Sequence, residues 1–166
     1  EGYKLYPDQT KSFKGLSAWT FKDTKVDVGT YDTASNISFN FWEMPGFETE
    51  WRYNETTNQY DRYQGGEIQK DALNNETISA ANVIVTFMQE RSLNDDKGHL
   101  IYEDLGTDDA LVFLDGHAIK AEWKRLAYSD RTIFTDAATG KEIEFNRGQV
   151  WIEGLPDRNK DQVTYQ

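Results

Sequence analysis

The stretch Leu111-Val112-Phe113-Leu114-Asp115-Gly116-His117-Ala118-Ile119-Lys120-Ala121-Glu122-Trp123 decides the fold class. An apolar run meets Asp-Gly, and an alternating run with Ile119, Ala121 and Trp123 on one side follows. Asp-Gly between two such runs is the strongest short-range hairpin signal, because a two-residue turn needs positive φ at its centre. Upstream, Val83-Ile84-Val85-Thr86-Phe87-Met88 is short, continuous and β-branched. It predicts a central strand covered on both faces; a buried helix would need a longer run.

The same grammar extends in both directions. Ile37, Phe39 and Phe41 alternate with Ser38 and Asn40, and Thr49, Trp51 and Tyr53 repeat the period of two. Tyr60, Arg62 and Tyr63 follow the turn-forming run Asn54-Glu55-Thr56-Thr57-Asn58, so the two aromatic runs predict another hairpin. Thr132-Ile133-Phe134, a turn over Asp136–Lys141, Ile143 and Phe145, and then Val150-Trp151-Ile152 continue the series until Gly154 and Pro156 stop it. Strands at this spacing predict a mainly β domain, an antiparallel sandwich or partly open barrel with few short helical turns. Residues 1–35 carry Tyr3, Tyr6, Phe13, Trp19 and Phe21 without a pattern, and are expected to pack on a second chain or expose an apolar patch. Residues 157–166 are polar and predict a frayed tail.

Composition bounds the function. The 166 residues carry 18 Lys+Arg against 29 Asp+Glu, a formal charge of −11, which repels phosphate backbones and argues against nucleic-acid binding. Mean hydropathy of −0.79 would suit a disordered chain, but five Trp, nine Tyr and nine Phe contradict disorder. No apolar run reaches the length of a membrane span. The absence of cysteine excludes a thiol nucleophile and Cys-ligated metals. The chain opens Glu1-Gly2-Tyr3 without an initiator Met or signal-peptide pattern, so a mature or excised form is expected.

Catalytic motifs are missing. His99 and His117 follow separate turns and share no motif, and neither a metalloprotease, nucleophile-elbow nor P-loop pattern occurs. The acidic pairs Asp95-Asp96, Glu103-Asp104 and Asp108-Asp109 fail the calcium-loop register, because Leu93 and Lys97 fall at ligand positions around Gly98. No cofactor and no metal site is expected, and no catalytic residue is assigned. Three N-glycosylation sequons, at Asn36, Asn54 and Asn75, are short enough to arise by chance.

The constellation that could hold a ligand is Trp51, Tyr60, Arg62, Gln69 and Asp71. Tyr60 and Arg62 are two apart and so share a strand face. The loop through Gly65-Gly66 can return Gln69 and Asp71, and Trp51 reaches that face if the hairpin register allows. An aromatic platform of this kind stacks on sugar rings or on another chain. The competing reading is sheet-face packing for Trp51 and Tyr53, with Arg62 paired to Asp61 or Asp71.

Trp51-Arg52-Tyr53-Asn54, Tyr60-Asp61-Arg62-Tyr63, Gly65-Gly66, Asp71 and Asn82-Val83-Ile84-Val85 together resemble the YerB-like family of bacterial lipoproteins. The likeness continues through Ala110–Gly116, Trp123-Lys124, the Phe134–Gly140 turn and Gly148-Gln149-Val150-Trp151-Ile152. It implies a division into 1–40, the end of an N-terminal domain otherwise outside the chain; 41–156, a C-terminal β domain; and 157–166, a tail. It further implies an extracellular domain attached to the cell envelope, meeting a membrane only through a lipid anchor outside this chain. The implied role is binding or scaffolding, with wall polymer, glycan, an envelope protein, the N-terminal domain or a second chain as partners. The alternative is an envelope hydrolase or transferase whose active site is shared with the N-terminal domain. The family pattern places His two residues before the position of Asp71. Gln69 stands there in this chain, which can hydrogen-bond but cannot titrate, and so favours binding over catalysis.

Overall fold

A computed structural model describes residues 18–26, 29–41 and 44–166. The strands run in chain order as β1 (Phe21–Lys22), β2 (Asp32–Thr33), β3 (Asn36–Asn40), β4 (Glu48–Asn54), β5 (Gln59–Gln64), β6 (Glu67–Ile68), β7 (Ser79–Ala80) and β8 (Asn82–Met88). They continue as β9 (Glu90–Ser92), β10 (Leu100–Tyr102), β11 (Gly106–Leu114), β12 (His117–Arg125), β13 (Ile133–Asp136), β14 (Phe145–Asn146), β15 (Val150–Pro156) and β16 (Thr164–Tyr165). Short 3-10 turns at Pro45–Phe47 and Asp157–Gln162 are the helical content among the described residues.

Two sheets carry the fold. The first has the order β13-β12-β11-β8-β15, with β2 added to β12; the second has the order β16-β3-β4-β5-β6, with β7 added to β5. Pairing is antiparallel except for β8 with β15 and β1 with β14. The protein is a β sandwich, and the predicted central strand is β8, held between β11 and β15.

The apolar run of β8 is explained by what lies on each side. Val83, Val85 and Phe87 enter the core between the sheets with Ile37, Phe39, Trp51, Tyr60, Phe113 and Leu155. Ile84 faces the opposite way, into a second cluster with Val112, Leu114, Ile119, Trp123, Phe134 and Phe145. A strand with core on both faces cannot alternate polar and apolar side chains. Trp19, Phe21, Val26 and Tyr31 pack against this outer cluster. The expectation that residues 1–35 need a foreign partner is therefore corrected for Trp19 and Phe21. Trp19 stacks edge-on against Phe145 at 5.3 Å and donates its indole N–H to the Thr132 carbonyl at 2.7 Å. Tyr3, Tyr6 and Phe13 lie outside the described residues.

The Asp-Gly hairpin forms as read. Asp115 at φ 56° and Gly116 at φ 79° supply the two positive-φ positions of the tight turn between β11 and β12. Gly116 is required twice over, because a Cβ there would lie 2.8 Å from Cε1 of Tyr53. The aromatic hairpin also forms, with Trp51 opposite Arg62 and Tyr53 opposite Tyr60. The frayed tail does not: residues 157–162 make a 3-10 turn whose Asn159 is buried, and β16 pairs with β3. Asn159 donates its amide to the Asn40 carbonyl at 2.7 Å, and Ser35 and Asn36 donate backbone N–H groups to Gln166. A polar segment thus stays ordered by satisfying the free edge of β3.

Candidate functional site

The hairpin register puts Trp51, Tyr60 and Arg62 on one strand face, as the sequence predicts, but that face is the inside of the sandwich. Trp51 and Tyr60 are fully buried. Gln69 and Asp71 do not join them. Asp71 is exposed and builds its own loop, accepting the backbone N–H of Leu73 at 2.8 Å and of Asn74 at 3.3 Å. Gln69 is tied to that loop by backbone bonds to Arg62 and Ile78. The expected concave platform is corrected on this point. Period two assigns residues to a face, and whether a second sheet covers the face depends on strands far away in sequence.

The buried hairpin face meets β15 in a charged contact that the sequence reading missed. Trp51 donates its indole N–H to Oε1 of Glu153 at 3.2 Å, and Arg62 Nε stands 3.7 Å from the same oxygen. That is ion-pair range, and Arg62 Nε has no hydrogen-bond partner. The guanidinium lies 5.4 Å from the Trp151 ring centroid and 5.9 Å from that of Trp51, in cation–π range of both rings of an edge-on pair. Arg62 therefore pairs with Glu153, rather than with Asp61 or Asp71. Burial raises the pKa of Glu153, and the Arg62 charge and the Trp51 hydrogen bond offset this only in part. The available signal was a lone acid at inward parity within Val150-Trp151-Ile152-Glu153-Gly154-Leu155.

A second polar centre surrounds Asp115. One carboxylate oxygen accepts Lys22 Nζ at 2.6 Å and the Val26 N–H at 3.0 Å; the other accepts Asn58 at 2.9 Å and Asn146 at 2.7 Å. Burial pushes the Asp115 pKa up, but the hydrogen bonds from Lys22, Asn58, Val26 and Asn146 outweigh it and leave it lowered. Lys22 also donates to the Thr24 carbonyl and to Asn146, so its ammonium is saturated and is not a nucleophile. Asn146 is locked in turn by reciprocal bonds with Asn82. This arrangement holds four chain segments together.

An open cleft lies on the outer face of the first sheet. Its volume is about 250 Å³, and Met88, Trp123, Phe134, Ile152 and Gly154 make its apolar surface. Ile152 is 44% exposed, whereas Trp123 and Phe134 are buried floor. Asp104 and Arg125 stand on the rim and pair at 3.2 Å. Trp123 is fixed by donating its indole N–H to the Phe87 carbonyl at 2.8 Å. The histidines do not contribute: exposed His99 pairs with Asp95 at 2.5 Å, and His117 sits at the start of β12. Among the described residues, no group of three or more His, Asp or Glu side chains is placed to hold a metal ion.

The fold and its surface define a β-sandwich domain with an apolar cleft, in which the buried charged groups hold the sheets together. Residues 37–152 match the family described as "Protein of unknown function (DUF3048) C-terminal domain", and the chain belongs to that family. The crystal structure of the YerB protein from Bacillus subtilis is similar, with a TM-score of 0.73 and 20% sequence identity, over 99% of this chain and 53% of that one. That likeness shows the shared fold, and this chain spans about half the length of the YerB chain. The YerB-like resemblance read from the sequence is thereby borne out. No match is found among curated proteins.

Proposed function

We propose that the chain is a binding or scaffolding domain of a cell-envelope lipoprotein, working outside the cell, and that its binding site is the cleft lined by Met88, Trp123, Phe134, Ile152 and Gly154. The open apolar cleft carries this reading: small sites for recognition are concave, mainly apolar and rimmed by a few polar groups. The chemistry of the interior supports it. Lys22 is saturated by three acceptors, and Glu153 is sequestered between Trp51, Trp151 and Arg62. The family resemblance supplies the envelope setting and the candidate ligands, which are wall polymer, glycan and envelope protein.

The test compares the chain with its Ile152→Lys variant in co-sedimentation with purified cell-wall sacculi and in amide-shift titrations with soluble wall glycan, teichoic acid and peptides. The expected outcome is binding of one ligand class that is weakened in the variant at an unchanged thermal midpoint, since Ile152 is half exposed. Release of soluble fragments from sacculi by the chain would overturn the reading in favour of a hydrolase.

A further inference from the structure

The cleft lies beside an open sheet edge, and one strand supplies both. Strand β15 ends the first sheet, pairs on one side with β8, and has no strand on its other side among the described residues. It is seven residues long, whereas the other outer strands β2, β6, β7, β13 and β16 have two to four. Short edges offer little template for pairing, and a long one offers a row of free N–H and C=O groups. The side chains of β15 alternate: Trp151, Glu153 and Leu155 turn inward, while Ile152 and Gly154 line the cleft.

We propose that β15 is a strand-addition site, and that its occupant is a basic, extended segment of a partner protein that lays an aliphatic or aromatic side chain into the cleft beside Ile152. This rests on the cleft being the binding site, and it selects one of the three ligand classes. Main-chain hydrogen bonds supply affinity in this mode, and a pocket for alternate side chains supplies selectivity. The cleft, at about 250 Å³, takes one or two large side chains rather than a whole drug-sized ligand.

Charge identifies the partner further. A net charge of −11 repels a phosphate-rich wall polymer and steers a basic peptide inward. It also opposes a second copy of this chain. Glycan stacking needs an open aromatic face. Among the described tryptophans, Trp51 and Trp123 are buried, and Trp19 and Trp151 are half-buried and engaged by Phe145 and Trp51 at 5.3 Å each. The exposed ring of Tyr128 is already engaged by the Arg125 guanidinium, 5.7 Å from its centroid. Inward-pointing Glu153 and terminal Pro156 are devices that discourage indiscriminate edge pairing, so the edge favours a partner whose side chains fit the cleft.

The experiment titrates the chain with the peptide Lys-Leu-Lys-Phe-Lys-Leu-Lys and reads amide shifts along β15. Three controls accompany it: a form N-methylated at alternate amides on its pairing edge, a form with Ser in place of Leu and Phe, and the Ile152→Lys variant of the protein. The expected result is shifts confined to Val150–Pro156 and the cleft, with affinity about tenfold weaker for each control. Equal affinity for the N-methylated peptide would overturn strand addition while keeping the cleft as a site. Equal affinity for the Ser peptide would reduce the effect to bulk charge and overturn the proposal. Shifts in the cleft with soluble glycan or teichoic acid but not with peptide would overturn the choice of partner and leave the binding reading standing. No cleft shifts with any of these ligands would overturn both. Self-association in sedimentation velocity that is lost in the Ile152→Lys variant would assign the edge to a second copy and overturn the basic-peptide occupant.

Discussion

Asp115, in the turn between β11 and β12, and Glu153, on β15, are buried carboxylates that each face a cation, and their surroundings push them in opposite directions. Asp115 occupies a turn where four donors converge within 3.0 Å, from β1, the strap after it, the β4–β5 turn and β14. Glu153 lies mid-strand among tryptophan rings, with one indole donor and an arginine 3.7 Å away. Burial penalises both charges, but enough hydrogen bonds surround Asp115 to reverse the effect, whereas at Glu153 they do not. A buried charge is tolerated when hydrogen bonds fill its lone pairs, and otherwise carries an uncompensated desolvation penalty.

The largest effect that would break this comparison belongs to Asp115→Asn. The variant keeps the shape but removes the charge facing Lys22 and turns an amide NH2 toward groups that are themselves donors. A loss of about 3–5 kcal/mol in urea unfolding is expected, and a loss under about 1 kcal/mol would mean that the Asp115 centre is incidental. Next comes Gly116→Ala. It would hold a side chain at φ 79° and press a methyl to 2.8 Å from the Tyr53 ring. Its expected cost is about 1–3 kcal/mol, read as a drop in the denaturation midpoint.

Glu153→Gln should behave differently from Asp115→Asn. Its amide oxygen still accepts the Trp51 N–H and the desolvated carboxylate charge is gone, while Arg62 loses its counter-charge but keeps its hydrogen bond to Gln64. A smaller loss than for Asp115→Asn, about 1–3 kcal/mol at neutral pH, is therefore expected. The pH profile sharpens the contrast. Asp115 has a folded pKa below its ordinary value of 3.8, so its contribution is complete above that pH and is lost as pH falls through the folded value. Glu153 has a folded pKa above its ordinary value of 4.5, so its penalty is complete above the folded value and is relieved as pH falls through it. Wild type should therefore gain stability relative to Glu153→Gln on acidification from neutral pH toward 4.5. A difference between the two proteins that stays constant over that range would show that Glu153 is not destabilised by its surroundings. The smallest effect belongs to Asp71→Ala, which removes two exposed backbone bonds and should cost about 0.5–1 kcal/mol without altering ligand retention.

Local chemistry was enough to place most strands. The Asp115-Gly116 turn, the 54–58 turn, the Val83–Met88 run and the alternations around Trp51 and Ile119 each carry their own periodicity or turn requirement. Those signals act over a few residues, and the structure keeps them. The candidate site was less legible. Alternation correctly put Trp51, Tyr60 and Arg62 on one face, but could not say that β15 covers it, because Glu153 lies 102 residues beyond Trp51 in the chain.

The sequence by itself determined the class of fold, the central strand and the family, because β periodicity, turn chemistry and order of motifs are local or sequential properties. The tertiary structure decided which faces are inside. It drew the polar last ten residues into an edge pairing, and it drew Trp19 and Phe21 onto the outer cluster. Among the described residues it also left β15 with no strand on its second side, beside a cleft. Burial is a relation between distant segments, set by which sheet lies against which, and no short window of residues contains it.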